Sequence, residues 1–212
     1  MHKTMLDPVG MSPAAVYRLM TSAIVPRPIA WVGTNDGTGT PGGDNLAPFS
    51  YFMGVSSNPP LLAISVARGP GGAIKDTARN ILATGQFSVT IPRASDLDAV
   101  NLTAAAWPGS EFEAAHLAPE PGVKIAAPHP ADAAFTFECV LHQAIDLGST
   151  HLLVGRVVLF LAEGSVLEDG VVSIAALAPI ARLGGEAFAE VGALHHRARV
   201  SLGGPGSRGS GG

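Results

Sequence analysis

Two basic side chains in the first 80 residues have surroundings that favour anion binding. Arg27 lies between Pro26 and Pro28; they restrict the backbone and aim a guanidinium that can bind an anion through two parallel hydrogen bonds. Lys75 precedes a helix-forming segment that begins at Asp76, and the first N–H groups of a helix are free to bind phosphate. For Arg27, the alternative is an arginine solvated at the start of a strand. For Lys75, the alternative is a helix capped by Asp76, with the Lys75 side chain in water.

The segment "DNLAPFSYF", residues 44–52, places an amide, a proline and a hydroxyl in an otherwise apolar strand. Because proline has no N–H to donate, Pro48 predicts that this strand lies at a sheet edge or at a bulge. Asn45 and Ser50 can donate hydrogen bonds to a phosphate or a heterocycle, although each alone is more often a turn residue. This segment is therefore a second candidate for ligand contact.

Several common reaction classes lack their sequence signatures. No G-x-G-x-x-G opens a helix after a strand, and the chain has no G-x-x-x-x-G-K-[ST], G-x-S-x-G, H-E-x-x-H or pair of C-x-x-C motifs. His195 and His196 are neighbours whose side chains point apart in a regular element, so we predict no metal site. The single cysteine, Cys139, lies in an apolar run, and we expect a small buried residue rather than a disulfide partner.

The composition favours a domain that needs neither metal nor disulfides. Of the 212 residues, 47% are hydrophobic and 14% are charged, and the formal net charge is −4. Such a chain can bury roughly 70% of its unfolded surface, and its negative charge argues against a general nucleic-acid partner. Pro8, Gly10 and Pro13 break the first apolar stretch, and no apolar run is long enough to span a membrane. We therefore expect no signal peptide, no membrane partner and a cytoplasmic location.

The elements that must position these side chains are mostly strands. Apolar runs bounded by turn residues predict strands in "PIAWVGT", "LAPFSYFMGVS", "PPLLAISVAR", "QFSVTIP", "FTFECVLHQAIDL" and "HLLVGRVVLFLAEGSVL", the last two forming a hairpin. The helices predicted are "SPAAVYRLMTS", capped by Ser12, "KDTARNILATG", capped by Asp76 or Thr77 and ended by Gly85, and "SDLDAVNLTAAA". Because the predicted helices are few, the order of elements favours an antiparallel barrel with peripheral helices. We expect one domain over residues 1–194 and a flexible Gly/Ser-rich tail over residues 195–212.

Four motifs occur together in an order and spacing more specific than any one of them: "VPRPIAWVGT", "NLAPFSYF", "NPPLLAIS" and "KDTARNI". With the later segments "GSEFE", "FECVL", "LVGRVV" and "LAPIARLGG", the chain resembles the flavin reductase-like, FMN-binding split-barrel family, in its flavoredoxin-like branch. The resemblance extends from about residue 17 to residue 190. It implies a mainly β, antiparallel Greek-key split barrel, a homodimer, and FMN held near the subunit interface.

The resemblance also implies a contact set for FMN. The residues expected along the flavin and the ribityl chain are Asn45, Ala47, Pro48 and Ser50. Those expected at the phosphate are Arg27, Ser50, Lys75 and Thr77. Those expected beside the isoalloxazine ring are Ser65, Val66 and Ala67. This division suits FMN, because a dianionic head needs cations and N–H donors whereas a flat ring needs apolar walls. Trp31 and Phe52 can border the ring as well, but core packing is the favoured role for both.

The resemblance also implies a reductant and a candidate histidine at its binding site. In related flavin reductases, the histidine of a G-D-H motif lies at the nicotinamide site. The corresponding stretch here is "LGSTHLLVGRV", with one extra residue and no aspartate, so His151 is a candidate nicotinamide contact or else a hairpin histidine without a ligand. The favoured function is hydride transfer from NADH or NADPH to FMN, with reduced flavin or electrons passed to a monooxygenase or another acceptor. A flavoredoxin-like electron carrier and an FMN-binding protein without turnover stay open as alternatives.

Overall fold

The computed structural model describes residues 2–39 and 42–198. Its helices are α1 (Pro13–Ala23), α2 (Asp76–Thr84), α3 (Leu97–Leu102), α4 (Glu111–Ala114) and α5 (Ile174–Leu177). Its strands are β1 (Arg27–Pro28), β2 (Ala30–Asn35), β3 (Asp44–Phe49), β4 (Phe52–Ser57), β5 (Pro60–Ala67), β6 (Gln86–Thr90), β7 (Pro119–Pro121), β8 (Pro128–Pro130), β9 (Phe135–Asp146), β10 (Thr150–Ala162), β11 (Leu167–Glu168), β12 (Val171–Val172), β13 (Ile180–Arg182) and β14 (Phe188–Glu190). Short 3₁₀ helices lie at Pro70–Gly72, Ala94–Asp96 and Gly164–Val166.

Seven of these strands form one antiparallel sheet with the order β3-β2-β6-β9-β10-β5-β4. Four of them have a Greek-key order, because β6, β9 and β10 are neighbours in sequence order and β5, which precedes them in the chain, returns beside β10. Strands β3 and β4 lie at the two ends of this order, and only Ser50 and Tyr51 separate them in the chain. The mainly β, antiparallel split-barrel fold predicted from the sequence is confirmed.

The sheet encloses an apolar core built from alternate residues of its strands. Ile64, Phe87 and Leu153 are fully buried there. Gly155 of β10 lies against the Phe87 ring so closely that an added Cβ would collide with it, so the barrel interior requires glycine at this position. Cys139 is buried in the same core, as predicted, and desolvation by burial raises the pKa of the Cys139 thiol. The barrel core is therefore closed to solvent and to ligands.

The two long helices begin differently, although both were predicted. Helix α1 is capped as expected, because the Ser12 hydroxyl accepts the N–H of Ala15 at 3.2 Å. At α2 the predicted side-chain cap is wrong: Lys75 is the N-cap residue, and no side chain caps that end. Asp76 pairs with Arg79 instead. The first turn of α2 therefore keeps backbone donors available for a ligand.

Other boundaries match the sequence analysis with local differences. Gly85 ends α2 in the left-handed conformation, with φ 70°, as expected. Strands β9 and β10 form the predicted hairpin, but β10 ends at Ala162, and a 3₁₀ helix follows where a continuous strand was expected. Of the predicted tail over residues 195–212, residues 199–212 lie outside the described part of the chain. No helix in that described part combines the length and the apolar character needed to cross a bilayer.

Candidate functional site

A cleft opens where the corner between β3 and β4 faces helices α1 and α2. Three adjoining cavities of about 600, 270 and 270 Å³ share the lining residues Pro48, Phe49 and Lys75, and we call this space the Lys75 cleft. The largest of these three, the cavity of about 600 Å³, is walled by α1 on one side and by β5 and the β9–β10 turn on the other. Another reaches from β3 to the first turn of α2. Cavities of this size accept ligands as large as a nucleotide cofactor.

Strand β3 presents an open backbone edge at this cleft. Within the described residues it is the terminal strand of the large sheet and pairs only with β2, so the edge position predicted from Pro48 is confirmed. An open edge offers alternating N–H and C=O groups to a ligand. The N–H of Leu46 is already used, because it donates to Oε2 of Glu111 at 3.2 Å. Desolvation by burial raises the pKa of this glutamate, although its hydrogen bonds oppose the change.

Lys75 lines all three cavities of the cleft, and Arg182 lines one of them. Its side chain is exposed, and no carboxylate within the described residues pairs with its amine. As the N-cap residue of α2, it lies beside the uncapped first turn of a nine-residue helix. A lysine, free N–H groups and the positive end of a helix dipole together favour a bound phosphate.

Asn45 and Thr77 are brought together, but their side chains contact each other. The Asn45 amide donates to Oγ1 of Thr77 at 3.0 Å, and both residues are buried. The next helical turn has a similar contact, in which Asn80 donates to Oγ1 of Thr34 at 3.2 Å. These bonds fix the start of α2 against strands β2 and β3. Asn45 and Thr77 therefore shape the floor of the cavity between β3 and α2, which they both line.

Strand β5 forms a second wall of the cleft and places its residues on two faces. Ser65 and Ala67 line the largest cavity, and the Ser65 hydroxyl lies 2.8 Å from that of Thr150 on β10. Val66 points the other way and is buried in the barrel core. The alternation of side chains along a strand explains the difference. Val66, predicted beside a flavin ring, can offer the cleft only its backbone.

The histidines singled out from the sequence lie away from the cleft. His151 is paired with Val66 in the β5–β10 register and is buried, with Nε2 3.4 Å from Nη2 of Arg68. It does not line the largest cavity, whereas Ser149 and Thr150 do. The role of His151 as a nicotinamide contact stays a prediction. His195 and His196 are exposed, and among the described residues no three His, Cys, Asp or Glu side chains group to hold a metal ion.

Arg27 is buried, with 4% of its surface exposed, and most of its N–H groups are occupied by protein acceptors. Its Nη1 donates to the carbonyl oxygens of Thr21 and Ile24, at 2.5 and 2.8 Å. Nη2 donates to the carbonyl of Leu183 at 2.8 Å, and Nε donates to the Ser50 hydroxyl at 3.2 Å. One guanidinium N–H remains. The bidentate anion clamp predicted from the flanking prolines is therefore wrong, because the donors it needs hold the end of α1 and Ser50.

Several cleft residues were not anticipated from the sequence. Helix α1 buries only Thr21, yet it contributes Tyr17 and Met20 to the wall of the largest cavity. The available signal was the number of apolar residues on α1, which exceeds what one core-facing stripe needs. Thr150 and Glu111 were not selected, although they lie in the quoted segments "LGSTHLLVGRV" and "GSEFE", because neither residue suggested a ligand contact by its type and spacing. Trp31, considered as a ring neighbour, is a core residue, 2% exposed, whose indole N–H donates to Oγ1 of Thr103 at 2.9 Å.

Comparison with known proteins shows the family to which the chain belongs. The flavin reductase like domain matches residues 20–174. This range includes β1 to β12 and most of the Lys75 cleft; the parts of the cleft outside it belong to α1 and to the strands after β12. The chain belongs to the flavin reductase-like family. Its relatives include an uncharacterised protein of Halalkalibacterium halodurans, 35% identical over 195 residues, with 88% of this chain and 92% of the relative covered. The protein YwrF of Bacillus subtilis is 38% identical over 192 residues, with coverage of 86% and 92%.

Solved structures share the fold over most of the chain. Nitrilotriacetate monooxygenase component B from Bacillus cereus is 37% identical, with a TM-score of 0.88 and coverage of 93% of this chain and 100% of that one. The 2-nitrobenzoate 2-nitroreductase NbaA of Pseudomonas fluorescens is 27% identical, with a TM-score of 0.83 and coverage of 96% and 100%. The flavoredoxin of Desulfovibrio vulgaris (Miyazaki F) is 20% identical, with a TM-score of 0.73 and coverage of 92% and 97%. At that identity, the likeness to flavoredoxin concerns the fold.

Proposed function

We propose that this protein binds FMN and reduces it with NADH or NADPH, so that reduced flavin or its electrons reach a partner enzyme. The observation that carries the proposal is the Lys75 cleft, which combines an unpaired cation, an uncapped helix start, an open strand edge and apolar walls. Membership of the flavin reductase-like family supports a flavin ligand. The Thermus thermophilus FMN-binding protein shares the fold at 19% identity and a TM-score of 0.72.

The donor set of the cleft fits FMN from one end to the other. Lys75 and the first turn of α2 would hold the phosphate. Ser50, which the Arg27 guanidinium positions at 3.2 Å, would contribute a hydroxyl beside it. The outer edge of β3, at Ala47 and Pro48, would lie along the flavin, where the Pro48 carbonyl could accept a hydrogen bond, and Ser65 would border the ring. The chemistry of each group in the structure thus matches the part of the cofactor placed beside it.

Bound FMN would supply the redox chemistry, because its ring accepts a hydride from a reduced nicotinamide. The work of this chain is to bind and orient two flat rings and to exclude water from between them. The apolar side chains of α1, Tyr17 and Met20, cover one side of the largest cavity, and the Ser65 and Thr150 hydroxyls lie on the other. Such positioning can supply on the order of 7 kcal/mol of a reaction barrier, so the absence of an acid–base triad from the sequence is compatible with the reaction.

The partner and the assembly are part of the proposal. A solved relative at 37% identity is component B of a monooxygenase, which favours a separate monooxygenase as the acceptor of reduced flavin. We propose a homodimer formed through β4, the other terminal strand of the large sheet, where Met53 and Val55 are 60% and 47% exposed. Sedimentation should give about twice the 21.5 kDa chain mass, and a Met53→Asp variant should sediment as a monomer. A cytoplasmic location remains a prediction.

The direct test is an absorption spectrum of the purified protein with FMN, followed by anaerobic titration with NADH and NADPH. We expect the flavin band at about 450 nm to bleach with either nicotinamide. Loss of the yellow colour on dialysis would indicate an exchangeable flavin and a reductase that exports it, whereas retention would indicate an electron carrier. Bound FMN that neither nicotinamide reduces would indicate a binding protein without turnover, and a protein that takes up no FMN would refute the proposal.

A further inference from the structure

Two arginines face each other across a short pair of strands beside the Lys75 cleft, and one of them, Arg182, also lines one cavity of that cleft. In the antiparallel pairing of β1 with β13, Arg27 is the direct partner of Arg182. Directly opposite residues place their side chains on the same face of a sheet, and like charges in such positions destabilise the pair. A protein that keeps two cations in register needs negative charge nearby to offset their repulsion.

The described residues do not provide that negative charge as a carboxylate. Arg68, Arg79 and Arg93 each pair with an aspartate, but neither Arg27 nor Arg182 does. The acceptors of the Arg27 guanidinium are three backbone carbonyls and one hydroxyl. Carbonyl dipoles at the end of α1 offset part of its charge. The charge of Arg182 has no such compensation beyond one carbonyl.

The two arginines line a cavity of about 700 Å³ that we call the arginine cavity. Of the thirteen described residues that line it, three are arginines and none carries a carboxylate. The third is Arg18 on α1, which is exposed and has no ion-pair partner among the described residues. In a chain whose formal net charge is −4, three arginines that line one cavity without an acidic neighbour in the lining favour an anion site.

Arg182 is also held in place for binding. Its guanidinium carbon lies 4.3 Å from the centroid of the Phe188 ring, which covers one face of the group. Nη2 donates to the carbonyl of Gly185 at 2.6 Å, and the remaining N–H groups have no hydrogen-bond partner among the residues that the structure describes. A planar guanidinium that is already oriented loses less entropy when it binds a phosphoryl oxygen.

The arginine cavity adjoins the Lys75 cleft. Ser50, Tyr17 and Arg182 line both, so a ligand can extend from one into the other past these residues. FMN carries a single phosphate, for which the Lys75 cleft provides its own cation and helix start. A nicotinamide dinucleotide carries a diphosphate several atoms away from its reactive ring. A second cationic cavity beside the first therefore matches the reductant rather than the flavin.

We propose that the arginine cavity binds the diphosphate of the nicotinamide dinucleotide while its nicotinamide ring enters the Lys75 cleft. The proposal rests on the proposed function and names a binding site for its reductant. Arg18 and Arg182 supply the direct contacts. Arg27, with one free N–H, contributes mainly its charge. Arg27 is thus a positioning residue for Ser50 and α1 and at the same time part of the positive field of the cavity.

The test uses inorganic pyrophosphate as the probe and titrates it calorimetrically into both the flavin-free and the FMN-saturated protein. We expect pyrophosphate to bind in both states. An Arg18→Gln/Arg182→Gln double variant should raise the pyrophosphate Kd about tenfold or more. Arg18→Gln alone, at a residue outside the lining of the Lys75 cleft, should raise the pyrophosphate Kd and leave the FMN Kd unchanged. Arg156→Gln is the matched control, because Arg156 is an exposed arginine of β10 outside the lining of the arginine cavity. Arg27 is left intact because its loss would also release the end of α1 and Ser50.

Kinetics with two reductants separates the diphosphate contact from a general effect. The double variant should raise the KM for NADH about tenfold and leave the KM for reduced nicotinamide riboside, which has no phosphate, unchanged. Equal increases for both reductants would overturn the proposal. So would displacement of pyrophosphate by stoichiometric FMN together with a weaker FMN Kd in the Arg18→Gln variant, because the cavity would then hold the flavin phosphate. If FMN binds nowhere but pyrophosphate still binds at the arginines, the proposed function fails while the anion site remains.

Discussion

The barrel interior and the wall of the Lys75 cleft are built from similar apolar residues but bury them differently. In the interior, Ile64, Phe87 and Leu153 are completely buried. In the wall, α1 buries only Thr21 and leaves Tyr17 61% exposed and Met20 46% exposed. Apolar side chains that gain little burial add little to folding stability. The comparison shows that the interior sets the stability of the fold, whereas the wall can change without unfolding it and is available for a ligand.

The largest loss of stability is expected from a substitution in the barrel interior. Phe87→Ala should lower the free energy of unfolding by about 3 to 5 kcal/mol, because it leaves a cavity in a closed core. The matched control is Phe160→Ala, since Phe160 is 56% exposed and should lose less than about 1 kcal/mol. Urea denaturation measures both. A loss for Phe160→Ala as large as that for Phe87→Ala would break the distinction between interior and surface.

A substitution of Arg27 tests how the barrel is connected to α1, which forms the wall of the Lys75 cleft. Arg27→Ala should cost about 3 kcal/mol of unfolding free energy, because the carbonyls of Thr21, Ile24 and Leu183 lose their donors. Because the Arg27 side chain ties α1 to the barrel, FMN affinity should fall as well, through the displaced wall and Ser50. The control Arg156→Ala should change neither quantity. A full FMN affinity with normal stability in Arg27→Ala would refute the positioning role.

Lys75 is expected to affect binding but not folding. Lys75→Ala should raise the FMN Kd about tenfold or more, since a charge-assisted contact to the phosphate is lost, and should leave riboflavin affinity within about twofold. Lys124→Ala removes the same charge on a side chain that donates to the carbonyl of Val158 instead and should leave both affinities unchanged. Fluorescence titration with the two flavins checks this. Equal losses for FMN and riboflavin would count against a phosphate contact.

The smallest effect expected is the pH dependence from Glu111. Its pKa in the folded protein is raised, mainly by desolvation, so the contribution of Glu111 to stability is present below the unfolded pKa and is lost as pH rises through the folded value. Glu111→Gln removes this titration. The stability of the variant relative to wild type should therefore increase between pH 4 and pH 7, roughly the range in which a carboxyl with a raised pKa ionises. A constant difference across urea melts in that range would show that Glu111 does not titrate abnormally.

Much of the fold could be predicted because local patterns and the fold agree. Strand alternation, the Ser12 cap and Gly85 each depend on neighbours in sequence. The site was harder to predict from the sequence, since its side chains are brought together by contacts between residues distant in the chain. Flanking prolines suggested that Arg27 points at a ligand, but three carbonyls distant in the chain or at the end of α1 take its donors. The motif likeness also selected His151, whereas the β5–β10 register places Thr150, one residue earlier, at the cleft.

The central claim is that the Lys75 cleft holds FMN, and a crystal structure of the protein grown with FMN tests it most directly. The account predicts the phosphate within hydrogen-bond distance of the Lys75 amine and of the first N–H groups of α2, with the ring along the outer edge of β3. A flavin bound elsewhere, or a phosphate seated between Arg18 and Arg182 with Lys75 still in solvent, would contradict it.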